Sequence, residues 1–185
     1  MNNIEIKLVP EEEIDIKTSQ LRKLPKGPFI FSNQLIKKME NTIDDSIKRN
    51  IELGFTLCKK PKSQELTNGK ICKGKLCEVL VLEIDECKKG ETPVGIYHSH
   101  GNDRALPSMH DIWHAYNSNT FCIGGTNKGN KEIKCFERKK EYNSDINSRM
   151  VEEVSIENDF IKRIKALKER TNKITEDTFK IVSLI

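Results

Sequence analysis

The 185-residue sequence contains no C-x-x-C pair, no apolar run of membrane-spanning length and hardly any net charge. Each absence closes off a class of protein. C-x-x-C is the usual half of a cysteine-held structural zinc site, so such a site is disfavoured. A transmembrane helix needs about 20 apolar residues in a row, and the closing FKIVSLI is far shorter. The opening MNNIEIKLVPEEEID is acidic and lacks the apolar core of a secretory signal. With 32 basic residues against 28 acidic, the formal charge is +4, too balanced to argue for nucleic acid. The expectation is a cytoplasmic protein with no membrane and no nucleic-acid partner.

The missing export signal also governs the six cysteines, Cys58, Cys72, Cys77, Cys87, Cys122 and Cys135. In a secreted domain they would be staples; without export, free buried thiols are the preferred reading. One pair keeps an alternative open. If the turn NKGN centres a hairpin, residues whose numbers sum to 257 face each other, and Cys122 faces Cys135. Stacked thiols and a cross-strand disulfide both fit there, the disulfide suiting a hyperthermophile.

What is present reads as a soluble globular domain, 36% hydrophobic and 32% charged. NIEIKLV is an edge strand and LPKGPF a proline-rich connection. Leu35, Ile36, Met39, Ile43 and Ile47 recur every three or four residues, predicting a helix capped by Ser32 or Asn33. IELGFTL alternates as a half-buried strand does. Residues 60–69 form a solvated loop, and CEVLVLEI and VGIYHSH are strands. PSMHDIWHAY sets a proline before a cap-type serine, which marks a helix start. TFCIGG and EIKCFER pair across TNKGNK. Met150, Val154, Ile161, Ile164 and Leu167 predict an amphipathic helix over residues 146–176. No internal repeat is visible. The fold class is α/β (α+β), a mixed β-sheet flanked by helices.

The chemistry gathers in GIYHSHGNDRALPSMHDIW, which holds three of the four histidines. Side chains alternate along a strand, so His98 and His100 point one way and Ser99 the other. Two imidazoles aimed at one point make half of a tetrahedral zinc site. On a helix starting near Ser108, Asp111 lies on the same face three residues on. It supplies a third, oxygen ligand, with the Ser108 hydroxyl beside it. Three protein ligands leave one position for water, the mark of a catalytic zinc. The chemistry then needs a base for the water and a donor for the oxyanion, and Ser108 fits the donor's role. The reaction indicated is amide hydrolysis.

His98, Ser99, His100, Ser108 and Asp111, spaced as H-S-H, seven residues, S, two residues, D, resemble the JAMM motif of the MPN domain metalloproteases. The order of elements over roughly residues 30–140 is also similar. The resemblance implies an N-terminal extension at 1–30, a JAMM/MPN catalytic domain at 31–140 and a C-terminal helical extension at 141–185. It implies one zinc ion per chain, held by His98, His100 and Asp111, with Ser108 as oxyanion donor. It also implies an upstream glutamate as general acid and base. Glu52 occupies that place, with Glu83 and Glu78 as fallbacks. The activity implied is removal of ubiquitin or a ubiquitin-like modifier from protein conjugates. Many members carry proline after the second histidine, where this chain has Gly101. The His100–Ser108 insert has the minimal length, which puts selectivity for one ubiquitin linkage in doubt.

Other readings use the same residues. HDIWH places His110 and His114 four apart, as in H-E-x-x-H proteases, with Asp111 at the acid's position. Aspartate is a methylene short, and no later histidine completes that site. His98 and His100 could be plain strand-end residues, but Ser108 and Asp111 at the matching offsets weigh against it. A non-catalytic MPN scaffold is the main alternative, and a hydrolase of small amides or sulfur-carrier adducts another. KKPK and ERKKE read as solvated charge. The C-terminal helix reads as a cap on the sheet, with homo- or hetero-dimerisation through helices as its second role.

Overall fold

The computed structural model describes residue 25 and residues 27–73, 87–108, 111, 120–139 and 160–185. Helix α1, Asn33–Arg49, forms where the apolar spacing predicts it, and the Ser32 hydroxyl caps it by accepting from Leu35 N–H at 3.2 Å. Asn50 ends it in the left-handed conformation. Its stripe, Leu35, Met39 and Ile43, is buried. The Tyr97 hydroxyl donates to the Met39 carbonyl at 2.8 Å, which anchors the helix to the sheet. Burial pushes the Tyr97 phenol far up, so it stays protonated and able to donate.

The strands are β1 Ile30–Phe31, β2 Leu53–Lys59, β3 Glu65–Lys73, β4 Thr92–Ser99, β5 Thr120–Asn127, β6 Asn130–Arg138 and β7 Phe179–Ser183. They form one mixed sheet in the order β1-β3-β2-β4-β5-β6-β7. β1 with β3 and β4 with β5 are parallel, and the other neighbours are antiparallel. One face carries α1 with Phe55, Leu57, Tyr97 and Ile133. The other carries helix α2, Phe160–Thr178, through Ile174 beside Phe121, Ile123, Phe136 and Phe179. Phe121 stacks on Phe136 at 4.8 Å and meets Phe179 edge-on at 5.2 Å, so aromatic packing joins three strands. The β5–β6 hairpin turns at Lys128 and Gly129, both at positive φ, and its register places Cys122 opposite Cys135 as the numbering rule requires.

Four expectations are corrected. β2 is buried on both faces rather than half-buried, because it lies inside the sheet between β3 and β4. The loop after β2 is shorter than 60–69: β3 begins at Glu65, its polar residues held by backbone pairing to β2 while only Leu66 is buried. The stretch 141–185, expected to be helical, ends in β7, which adds to the sheet beside β6. The described cysteines are not free thiols. Cys58–Cys87 and Cys122–Cys135 are disulfides, Cys72 is disulfide-bonded as well, and no free cysteine is found among the described residues. A compartment argument spoke for thiols; the fold brought the sulfurs together, across paired strands in the case of Cys122 and Cys135. NIEIKLV, CEVLVLEI from Cys77 onward, His110, His114 and residues 146–159 lie outside the described residues. No helix among the described residues is long and apolar enough to cross a membrane.

Candidate metal centre

A parallel strand pair needs a crossover of a dozen or more residues. Between β4 and β5 that crossover starts at His100 and carries Asp111. His98 lies on the α2 face with its register partner Ile123, whereas Ser99 is fully buried on the opposite face. The backbone N–H of His100 donates to the Gly124 carbonyl at 2.8 Å, so strand-like bonding runs one residue past β4 and returns the second ring to the first. The chain then turns at Gly101, whose φ is 59°. Proline locks φ near −65°, so the residue usual in the family could not make this turn. The departure from the motif therefore has a backbone reason.

The rings and the carboxylate converge. His98 Nε2 lies 3.0 Å from His100 Nε2 and 3.0 Å from Asp111 Oδ1, and His100 Nε2 lies 3.3 Å from Asp111 Oδ2. A tetrahedral ion with bonds of about 2.0–2.1 Å separates its ligands by about 3.3 Å. The three donors thus nearly trace one face of such a tetrahedron, and His98, His100 and Asp111 could hold a metal ion. Two imidazoles and one carboxylate suit zinc. Burial works to raise the Asp111 carboxyl, but hydrogen bonds and charge from both histidines outweigh it and hold the group well below the usual carboxylate range. Burial likewise works to lower His100, and Asp111, with help from the Arg104 carbonyl and the Glu52 charge, lifts it net upward.

Ser108 is exposed and pairs reciprocally with Asp111. The Asp111 N–H donates to Ser108 Oγ at 3.1 Å, and Asp111 Oδ2 accepts from the Ser108 N–H at 2.6 Å. That is a capping box with aspartate as the acid. The Ser108 hydroxyl also donates to Asp111 Oδ2 at 2.8 Å. The S-x-x-D spacing therefore aims the Asp111 carboxylate through the same two residues. Glu52 is exposed and lies just before β2. The Ser46 hydroxyl donates to the Ile51 carbonyl, which fixes the chain leaving α1. Gly54 pairs with His98, and the same register continued by two residues sets Glu52 opposite His100. Its charge is felt there. The fallbacks Glu78 and Glu83 lie outside the described residues.

Two supporting groups escaped the sequence reading. His100 Nδ1 faces the Arg104 carbonyl at 3.2 Å, and the buried Glu132 carboxylate accepts from the Ala105 N–H at 2.8 Å. The available signal was an acid in β6 sharing the face of Phe136, four residues on.

Fold and site define an α+β domain with a candidate His₂Asp metal centre. Residues 39–139 match the model of prokaryotic homologs of the JAB domain, and the chain belongs to that JAMM/MPN family. Among solved structures it is similar to a protein from Salinibacter ruber, known from a solution structure. The identity is 15% over 58% of this chain and 80% of that one, with a TM-score of 0.36. A search of the curated proteins finds no match.

Proposed function

We propose that the chain is a zinc-dependent isopeptidase or peptidase that hydrolyses amide bonds, removing ubiquitin or a ubiquitin-like modifier from protein conjugates. His98, His100 and Asp111 would hold the zinc. The observation that carries this reading is the convergence of those three donors, with Glu52 near enough for its charge to act on His100. Zinc bound there supplies Lewis-acid chemistry, polarising the scissile carbonyl and acidifying water. Glu52, outside the ligand set and exposed to solvent, takes the proton of the attacking water and delivers it to the leaving amine. Ser108 donates to the developing oxyanion. To do so its hydroxyl hydrogen swings away from Asp111, a rotation about one bond. The hydrogen bond from His100 Nδ1 to the Arg104 carbonyl keeps that ring oriented.

The test is incubation of the purified protein with isopeptide-linked ubiquitin-like conjugates, with and without a zinc chelator. About one zinc per chain and chelator-sensitive release of the modifier are expected. Zinc without turnover on any conjugate or small amide would leave a non-catalytic module. Absence of zinc after purification without chelator would remove the metal assignment altogether.

A further inference from the structure

The Arg104 carbonyl can only accept, so the proton it receives sits on His100 Nδ1, which leaves His100 Nε2 as the nitrogen turned to the cluster. That carbonyl and the Ala105 N–H belong to one peptide unit. The N–H donates to Glu132 Oε1 at 2.8 Å. One peptide plane is therefore gripped at both ends, by a histidine of the cluster and by a carboxylate delivered from β6.

Glu132 is only 9% exposed, and a charged side chain at that depth needs partners. Among the described residues its partners are few. Arg104 Nε and Nη2 approach its two oxygens at 3.3 and 3.5 Å, and Lys134 Nζ lies 3.7 Å away. With Ala105, two of the three partner residues come from the loop that leaves His100. The loop is seated for this contact. The Thr126 N–H donates to the Asp103 carbonyl at 2.9 Å, and the Asp103 N–H to the His100 carbonyl at 3.1 Å. Gly125, the register partner of Glu132, lies so near that a Cβ would collide with the Asp103 carbonyl oxygen and press on Ala105 N. A side chain at position 125 would thus lever the peptide away from the carboxylate.

We propose that Glu132 is a positioning residue for the metal, acting through the Arg104–Ala105 peptide to fix the tautomer and orientation of His100 and to strengthen its Nε2 as a ligand. A negative charge on the N–H side of an amide pulls the proton outward and enriches the carbonyl oxygen, because hydrogen bonds in series polarise one another. The richer oxygen accepts more strongly from Nδ1–H, and the opposite ring nitrogen becomes more basic. The result is a carboxylate–peptide–histidine relay in place of the direct carboxylate–histidine contact common around metals. This inference rests on the reading that the cluster holds zinc.

The test compares wild type, Glu132→Gln and Glu132→Ala. Zinc affinity is measured by competition with a chromophoric chelator at a temperature where each protein is folded. Metal-free melting is recorded separately, and the His100 tautomer is read by ¹⁵N NMR of the metal-free protein at a pH where the ring is neutral. Glu132→Ala is expected to weaken zinc by up to about 100-fold, and Glu132→Gln, which keeps size and an acceptor oxygen, by about tenfold. The His100 signal should move from pure Nδ1–H toward a mixture in the order wild type, Gln, Ala. A merely structural Glu132 lowers melting and leaves the affinity and the tautomer of the folded protein alone. Affinity within twofold of wild type in either folded variant overturns the proposal. Failure of the zinc reading looks different, since wild type itself would then bind none.

Discussion

Ser108→Ala separates two things one hydroxyl does. In the capping box it accepts from Asp111 N–H at 3.1 Å and donates to Asp111 Oδ2 at 2.8 Å. Losing a serine cap costs about 1 kcal/mol. A neutral-to-charged hydrogen bond adds about 1.5–3 kcal/mol when buried, and exposure of Ser108 discounts that to a fraction. A total of about 1–2 kcal/mol lowers Tm by roughly 2–8 °C at about 2–4 °C per kcal/mol for a chain of this size. Asp111 Oδ2 keeps the Ser108 N–H at 2.6 Å, so zinc affinity should weaken by about tenfold, the low end for loss of an orienting partner. Excess zinc restores that loss. The oxyanion role adds a deficit that zinc cannot repair: kcat about 10²–10³-fold lower with KM little changed. The assay is kcat, KM, Tm and zinc affinity on one variant, with kinetics at saturating zinc. Unimpaired kcat in a zinc-replete variant removes Ser108 from the chemistry. Unchanged Tm and zinc affinity refute the capping-box reasoning.

Glu52→Gln should abolish turnover while zinc stays bound, because the amide cannot take the proton and the ligands are intact; near-normal kcat would move the base to Glu83. Unfolding without reductant should expose no titratable thiols, and Cys122→Ala with Cys135→Ala should cost about 3 kcal/mol, since the pair closes a 13-residue separation. Thermal melting reads that as a fall of about 6–12 °C, and free thiols in the unreduced wild type would contradict it. Burial works to raise the Glu132 carboxyl, but the Ala105 N–H and Arg104 hold it below the usual range. A depressed carboxylate stabilises the fold above the unfolded value of about 4.3 and loses that contribution as pH falls through the folded one. The Tm gap between wild type and Glu132→Gln should therefore be steady from neutral pH down to about 5 and shrink below, and a gap that does not change with acid would contradict the assignment.

The metal cluster was legible in the sequence because its placement is local. His98 and His100 share a face by the two-residue period of a strand, and Asp111 is aimed by a serine three residues before it. Ser32 as a cap and Cys122 opposite Cys135 followed from equally short-range rules. Position 101 was legible only as a departure, since the left-handed turn that excludes proline is a property of the backbone. β3 was missed at its start because Glu65, Thr67 and Asn68 carry no apolar alternation; pairing to β2 makes them a strand. β2 looked half-buried because its place inside the sheet, between β3 and β4, is set by strand order and not by its own pattern. Phe179–Ser183, discounted as a membrane run and grouped with a helical extension, is a strand because β6 offers it an edge. Glu132 is the sharpest case: it meets Ala105 across 27 residues of chain, and nothing near either residue announces the contact. Candidate donors placed by neighbours within a few residues could be named from the alphabet alone. The groups that hold those donors in place are chosen by strand order, and strand order is what a single sequence conceals.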